Sequence, residues 1–337
     1  MKLHQYALRR VLLTVPVLFG VIVITFVISH LIPGDPARLM AGPHAPPEVI
    51  LNLRLKMGLD KPIHEQFFVY ISDLLRGDFG MSITTRRPVL DDLMRFFPAT
   101  LELTIASMIL SIAVGIPLGI ISATRHNKMP DHLSRIFSLT GVATPVFWSG
   151  LMVLLVFYYV LGLLPGPGRL DIGIPMPRHI TGLLVLDSIL AGDLQALASS
   201  LGHLILPTIV LAFSTMGMIV RMVRSSMLEV LREDYIVMAR SKGLPERTVV
   251  YRHAFRNALI PTITLTGLIF GALLSGTILV EAIFSWPGIG RYAVTAITYL
   301  DFAAVMGYTL LVTLVYIVVN LSVDMLYAIV DPRIRLE

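Results

Sequence analysis

The ionisable residues that interrupt the apolar runs of this chain are few, and their positions limit the chemistry open to it. His30, Glu102, His203, Glu281 and Asp324 all fall towards the ends of such runs, whose middles are uncharged. Ion-coupled carriers place ionisable groups near mid-membrane, where the ion or proton is handed on. Glu102 and Glu281 are therefore expected to be interfacial or paired, a gate or substrate contact being the alternative. Asp324, one turn after Asn320, is expected to bond neighbouring helices. His64-Glu65 begins an H-E-x-x-H pattern, but Phe68 stands at the second histidine position, so no metal site is expected. There is no G-x-x-x-x-G-K-[ST], no Gly-Lys dipeptide anywhere, and no G-x-S-x-G elbow. Nucleotide hydrolysis is not expected of this chain itself, and no enzyme activity or cofactor is indicated. With no cysteine, disulfides and thiolate chemistry are excluded.

The densest charge lies in residues 233–261, EDYIVMARSKGLPERTVVYRHAFRNALIP, between two very apolar stretches. Arg240, Lys242, Arg247, Arg252 and Arg256 stand against Glu233, Asp234 and Glu246. Leu228, Leu231, Tyr235 and Met238 or Ala239 form an apolar stripe at helical spacing. Arg240 and Lys242 occupy the last turn of that helix, and Gly243 follows where a left-handed residue commonly ends one. Pro245-Glu246 then read as the opening of a second helix that runs into an apolar span. A topological loop explains the charges. It does not explain an amphipathic helix that stops at a glycine outside the membrane; its stripe needs a partner, which could be the bilayer, the chain's own spans or another protein.

The elements that hold these residues belong to an integral membrane protein. Of 337 residues 55% are hydrophobic and 15% charged, with a mean hydropathy of +0.78. A pI near 9.5 would suit nucleic acid, but the basic residues sit beside apolar runs rather than on a soluble domain, so none is expected to bind. Spans are expected at 11–32, 99–123, 136–161, 203–223, 258–282 and 304–330. The first is too long for a signal peptide and lacks a good cleavage site. Between them lie an N-terminus (1–10), an insert (33–98), a linker (124–135), a Gly/Pro-rich loop (162–202), the charged segment (224–257), a Trp-bearing loop (283–303) and a tail (331–337). The insert is too apolar and aromatic for a disordered linker. Gly115, Pro117 and Gly119 are expected to break the second span, and Pro16 and Gly20 to kink the first.

Six spans put both termini on one side. Residues 1–10, 124–135, 221–257 and 331–337 hold 16 Lys+Arg in 66 residues, against 11 in 127 for 33–98, 162–202 and 284–303. The positive-inside rule makes the first set cytoplasmic. In the fifth span Gly267, Gly271 and Ser275 recur every four residues, and Thr262, Thr264, Thr266 and Thr277 add hydroxyls. That face permits close backbone approach. It serves either packing within the chain or a subunit interface or pathway lining without fixed charge.

Glu233-Asp234-Tyr235, Ala239-Arg240-Ser241-Lys242-Gly243, His253, Asn257 and Pro261 resemble the EAA loop of ABC importer permeases in its peptide-transporter form, with Asp234-Tyr235 in place of two alanines. Ile32-Pro33-Gly34-Asp35-Pro36, Gly58-Leu59-Asp60-Lys61-Pro62, Gly77-Asp78-Phe79-Gly80, Pro98-Ala99-Thr100-Leu101-Glu102-Leu103, Gly115-Ile116-Pro117-Leu118-Gly119, Phe284-Ser285-Trp286-Pro287-Gly288-Ile289-Gly290 and Asp331-Pro332-Arg333-Ile334-Arg335 extend the likeness over nearly the whole chain. As an ordered set they resemble the B-type permease subunit of dipeptide or oligopeptide importers. The resemblance implies an all-α, six-span type I permease fold with an extracytoplasmic insert, in the cytoplasmic membrane. It implies a second, C-type permease as partner, two ATPase subunits carrying ATP and Mg, and an extracytoplasmic peptide-binding protein. Glu233, Asp234, Tyr235, Ala239, Arg240, Lys242 and Gly243 would form the ATPase-coupling contact, the basic residues meeting acidic rims of an ATPase groove. Asp78, Phe79, Trp286 and Pro287 would face the binding protein.

Overall fold

The computed structural model describes residues 3–31, 35–42, 44–275 and 277–330. The tail motif at 331–335, Ile32-Pro33-Gly34 and the side chains of His30 and Asp324 lie outside the described residues. Helices follow one another along the chain: α1 (Leu3–Leu31), α2 (Pro36–Ala41), α3 (Pro47–Lys56), α4 (Ile63–Leu75), α5 (Val89–Thr124), α6 (Met129–Ala143), α7 (Val146–Val153), α8 (Leu184–Ala191), α9 (Leu194–Val230), α10 (Asp234–Ser241), α11 (Glu246–Thr248), α12 (Phe255–Leu274), α13 (Ile278–Ile283), α14 (Ile289–Thr298) and α15 (Phe302–Val330). A π-helical turn at Leu154–Val160 prolongs α7, and another at Val249–Ala254 joins α11 to α12. Among the described residues no strand forms, only one isolated bridge between Met81 and Pro88.

Val89–Thr124, Leu194–Val230, Glu246–Leu274 and Phe302–Val323 are each long and apolar enough to cross a bilayer. Met129–Ala143 and Val146–Val160 make a further crossing if the two halves, bent by 101°, count as one. The bend falls at Thr144-Pro145. Proline pushes the residue before it out of the helical region, and Thr144 is extended at φ −80°, ψ 124°. Leu12–Ile28 within α1 is a shorter apolar helix.

α9 is the axis of the fold, packing against α5, α6, α7, α8 and α12. Asp193 caps it, accepting from the Ala196 amide at 2.9 Å, so it begins nine residues before the expected 203. At about 1.5 Å per residue its 37 residues span roughly 55 Å, well beyond a hydrocarbon core of about 30 Å. α9 is therefore longer than one crossing requires. α5 is similarly long: Pro88 precedes it, and Asp91 and Asp92 sit in its first turn.

Gly115 and Gly119 do not break α5, contrary to expectation; the helix runs on to Thr124. A Cβ at Gly115 would sit 2.9 Å from Ile219, and one at Gly119 would sit 2.6 Å from Val223. They are packing positions that bring α5 against α9. Gly217 does the same for α6, where its Cβ would lie 2.6 Å from the Ser138 carbonyl. Pro117 is carried within α5, and Pro16 within the single helix α1.

The insert has little core of its own. α3 and α4 hold no buried residue, and α4 leans on α1 through Phe67 and Tyr70, with ring centroids 5.1 and 5.8 Å from Phe26. Its last part is tied down more firmly. Fully buried Asp301 accepts from the Ser82 hydroxyl (2.6 Å) and the Thr84 amide (3.0 Å), and its other oxygen accepts from the Ala304 amide at the start of α15.

Candidate functional site

The stop at Gly243 falls where the pattern puts it, but the stripe is not on one helix: Leu228 lies in the last turn of α9, the chain turns at 231–233, and α10 begins at Asp234. Glu233 takes the extended N-cap conformation, and Asp234 lies in the first turn of α10. Gly243 follows at φ +72°, and a Cβ there would meet nothing within 4 Å. Backbone freedom, not space, is therefore what the position requires. α11, the π turn and α12 then form one helical run from Glu246 to Leu274.

The stripe divides between two destinations. Ile236 and Ala239 are buried with Val223 and Met227 of α9 and Val249, Val250 and Ala254 at the foot of α12; Leu228 and Leu231 pack partly against the same cluster. Tyr235, Val237 and Met238 stand outside it, 39%, 53% and 59% exposed. Of the two candidates for the stripe's last position, Ala239 is the inward one. The Tyr235 hydroxyl accepts from the Asn257 amide, tying the first turn of α10 to α12. A push on α10 therefore reaches α9 and α12 through close-packed side chains.

Arg240, expected to meet an acidic rim of a partner, has an acidic neighbour within the chain, in a pair that is itself exposed. It crosses the glycine turn and donates to Glu246 from Nε (3.2 Å) and Nη2 (2.7 Å). Lys242 is exposed and makes no ion pair among the described residues. A second brace lies beneath, unforeseen because its partners are 93 residues apart. Arg224 on α9 donates from Nε to one oxygen of fully buried Asp131 and from Nη2 to the other, at 2.7 and 3.0 Å. Asp131 also accepts from the Ser122 hydroxyl at 2.6 Å, joining α5, α6 and α9.

The glycine face of α12 is occupied by α15. A Cβ at Gly267 would sit 2.1 Å from Val323, and one at Gly271 would sit 3.1 Å from Tyr316. The hydroxyls turn back on their own helix: Thr262 donates to the Ala258 carbonyl, Thr266 to Thr262 and Ser275 to Gly271. Thr262 and Thr266 thus offer methyls, not free hydroxyls, to the groove of about 780 Å3 between α5, α12 and α15 that they line with Gly267.

At the other end of the molecule Glu281 is fully buried and, among the described residues, makes no ion pair. It accepts from the Thr100 hydroxyl (2.7 Å) and the Arg291 amide (2.9 Å), and Thr100 in turn accepts from the Ile289 amide. The glycines of the 284–292 loop follow from this carboxylate, since a Cβ at Gly288 or Gly290 would sit 2.4 or 2.9 Å from it. Trp286 is 1% exposed and donates Nε1–H to the Ala99 carbonyl at 2.8 Å, with Arg169 over its ring at 5.3 Å. The expectation that Trp286 faces a binding protein is corrected: the indole is a wedge inside the chain. Pro287 is half-buried, Phe79 packs partly against Val89 and Tyr292, and Asp78 is exposed. Glu102 is paired, its partner being Arg169 at 2.5 Å in a nearly buried bridge.

Comparison with known proteins fits this architecture. Residues 115–336 match the binding-protein-dependent transport system inner membrane component model, and residues 3–104 match the N-terminal model of such membrane components. The chain belongs to this permease family. Its all-α fold is that of type I ABC importer permeases, and its place is the inner membrane, which it crosses several times. The chain is 52% identical over 318 residues to the Escherichia coli K12 "Probable D,D-dipeptide transport system permease protein DdpB", covering 94% of each. It is 46% identical to the dipeptide transport system permease DppB of Alkalihalophilus pseudofirmus, over 98% of this chain and 99% of that one. Against DppB of Escherichia coli K12 it is 42% identical over 98% of both. The resemblance to B-type permeases of dipeptide importers therefore holds along the whole permease.

Proposed function

We propose that this permease is the B-type subunit of an importer for dipeptides, working with a C-type permease, two ATPase subunits that bind ATP and Mg, and an extracytoplasmic binding protein. It has no catalytic role of its own. It crosses the membrane six times with both termini in the cytoplasm, as the basic-residue asymmetry favours. The observation that carries the reading is α10: a helix outside the apolar runs whose inner face is locked to α9 and α12 and whose outer apolar face is bare. That outer face, with Glu233, Lys242 and the turn at Gly243, seats in an ATPase groove. Asp234, Tyr235 and Arg240, all exposed, belong to the same contact.

The substrate is assigned by the named relatives, since among the described residues the groove beside α12 is lined by no charged group that could recognise a peptide terminus. D-amino-acid dipeptides are a second reading, favoured by the 52% identity to a permease named for them. Uptake of labelled L,L- and D,D-dipeptides into proteoliposomes holding the complete transporter separates the two. ATP-independent uptake by this chain alone would contradict both, and would make it an autonomous carrier.

A further inference from the structure

At the foot of α10 the chain leaves a hollow of about 490 Å3 between the end of α5, the end of α9 and the segment from Arg240 to Tyr251. Arg125, His126, Arg232 and Arg247 line it. All four are exposed, and among the described residues none has an ion pair or a side-chain hydrogen bond. The one carboxylate in the wall, that of Glu246, is already engaged by Arg240. The arginines alone therefore bring three positive charges to one concavity with no internal counter-ion. Such an arrangement is costly in self-repulsion unless an anion enters.

We propose that this hollow binds the phosphate headgroup of an anionic membrane lipid. Three features select a lipid over an acidic protein edge. The hollow lies where the long apolar helices α5 and α9 end, the level at which headgroups sit. Part of its lining is apolar, with Leu228 and Leu231 of the α9 end and Ile120 and Ile121 of α5, as a glycerol backbone and the first acyl methylenes require and a lone carboxylate does not. Tyr251, 54% exposed at the rim, has the amphipathic ring that favours the interface. The headgroup would rest against Arg247 and beside Arg240, so the lipid fastens α10 to the ends of α5 and α9. This binding does not depend on the substrate or on the ATPase contact proposed above.

The test is native mass spectrometry of the full chain in mild detergent, alone and within its assembled transporter, titrated with phosphatidylglycerol or phosphatidylcholine. The wild type should retain phosphatidylglycerol in preference to phosphatidylcholine. Each of Arg125→Gln, Arg232→Gln and Arg247→Gln should weaken retention roughly fivefold, and the triple variant should abolish the preference. Arg247→Lys, which keeps the charge, should retain it, and so should the remote pair Arg86→Gln and Arg87→Gln. If the triple variant fails to fold, the single variants carry the measurement. Equal retention of both lipids would overturn the proposal, as would a preference untouched by the variants. Displacement of the lipid by inorganic phosphate alone, or by assembly with the ATPase subunits, would also overturn it.

Discussion

The two ends of this permease solve the problem of a charged residue beside the membrane in opposite ways. Around Glu281 the chain is finished. A carboxylate with no ion pair among the described residues is enclosed by hydroxyl and amide donors from α5 and the 284–292 loop, and a side chain at either of the two glycines beside it would strike it. Around α10 the chain is unfinished. Half of the stripe is buried, the other half is bare, and the local ion pair is 42% and 62% exposed on its two side chains. Burial with every donor placed specifies one structure, whereas an apolar face left in water specifies a partner. Substitutions at the first end should cost folding, and those at the second should cost coupling.

The largest effect is expected at Glu281→Ala, which leaves the Thr100 hydroxyl and Arg291 amide without their acceptor in a buried site. It should lower stability by about 3 kcal/mol, read as a fall in melting temperature and membrane yield. A well-folded, transport-silent Glu281→Ala would break the comparison by making Glu281 a gate. Next is Asp131→Ala, which strips Arg224 of its acceptors; because Arg224 stays 21% exposed, about 2 kcal/mol is expected. In the 124–135 linker, Arg224's hydrogen bonds hold the Asp131 carboxyl below its ordinary 3.8, more than offsetting its burial. The folded-state value is depressed, so the bridge contributes fully above about pH 4 and is lost as the pH falls below that. The melting gap between wild type and Asp131→Asn should stay constant from neutral pH to pH 5 and shrink in stronger acid.

Gly243→Arg should cost about 1 kcal/mol, because φ is +72° while no neighbour is struck. Insertion should survive, and substrate-stimulated ATP hydrolysis and uptake should be lost. Full activity in this variant would remove Gly243 from the coupling segment. Arg240→Gln is expected to change stability by less than about 0.5 kcal/mol, the exposed pair being solvent-screened. A larger loss would show that the pair shapes the turn rather than decorating it.

The unfinished end was the legible one. Local spacing announces the helix stop at Gly243 and the restart at Pro245, since caps and turns depend on neighbouring residues, but it hides the break between Val230 and Asp234, across which the apolar stripe continues. The finished end was obscure because its contacts are distant in sequence. Nothing near Trp286 says that its ring donates to Ala99, 187 positions away, and its aromatic, loop-like setting invites a surface reading. The same holds for Asp131 with Arg224, and for Gly115 and Gly119, which read as breaks until α9 is laid against them. α5 and α9 begin at Val89 and Leu194, ahead of the spans expected from 99 and 203, because apolar content marks the membrane and not the length of the helix that crosses it.

The most direct measurement is peptide-stimulated ATP hydrolysis by the complete transporter carrying Val237→Asp and Met238→Asp. Both side chains are more than half exposed, so the melting temperature should match the wild type. Stimulated hydrolysis should fall roughly tenfold or more, and the ATPase subunits should co-purify poorly. Wild-type stimulation with the ATPase subunits still bound would contradict the assignment of that face to coupling.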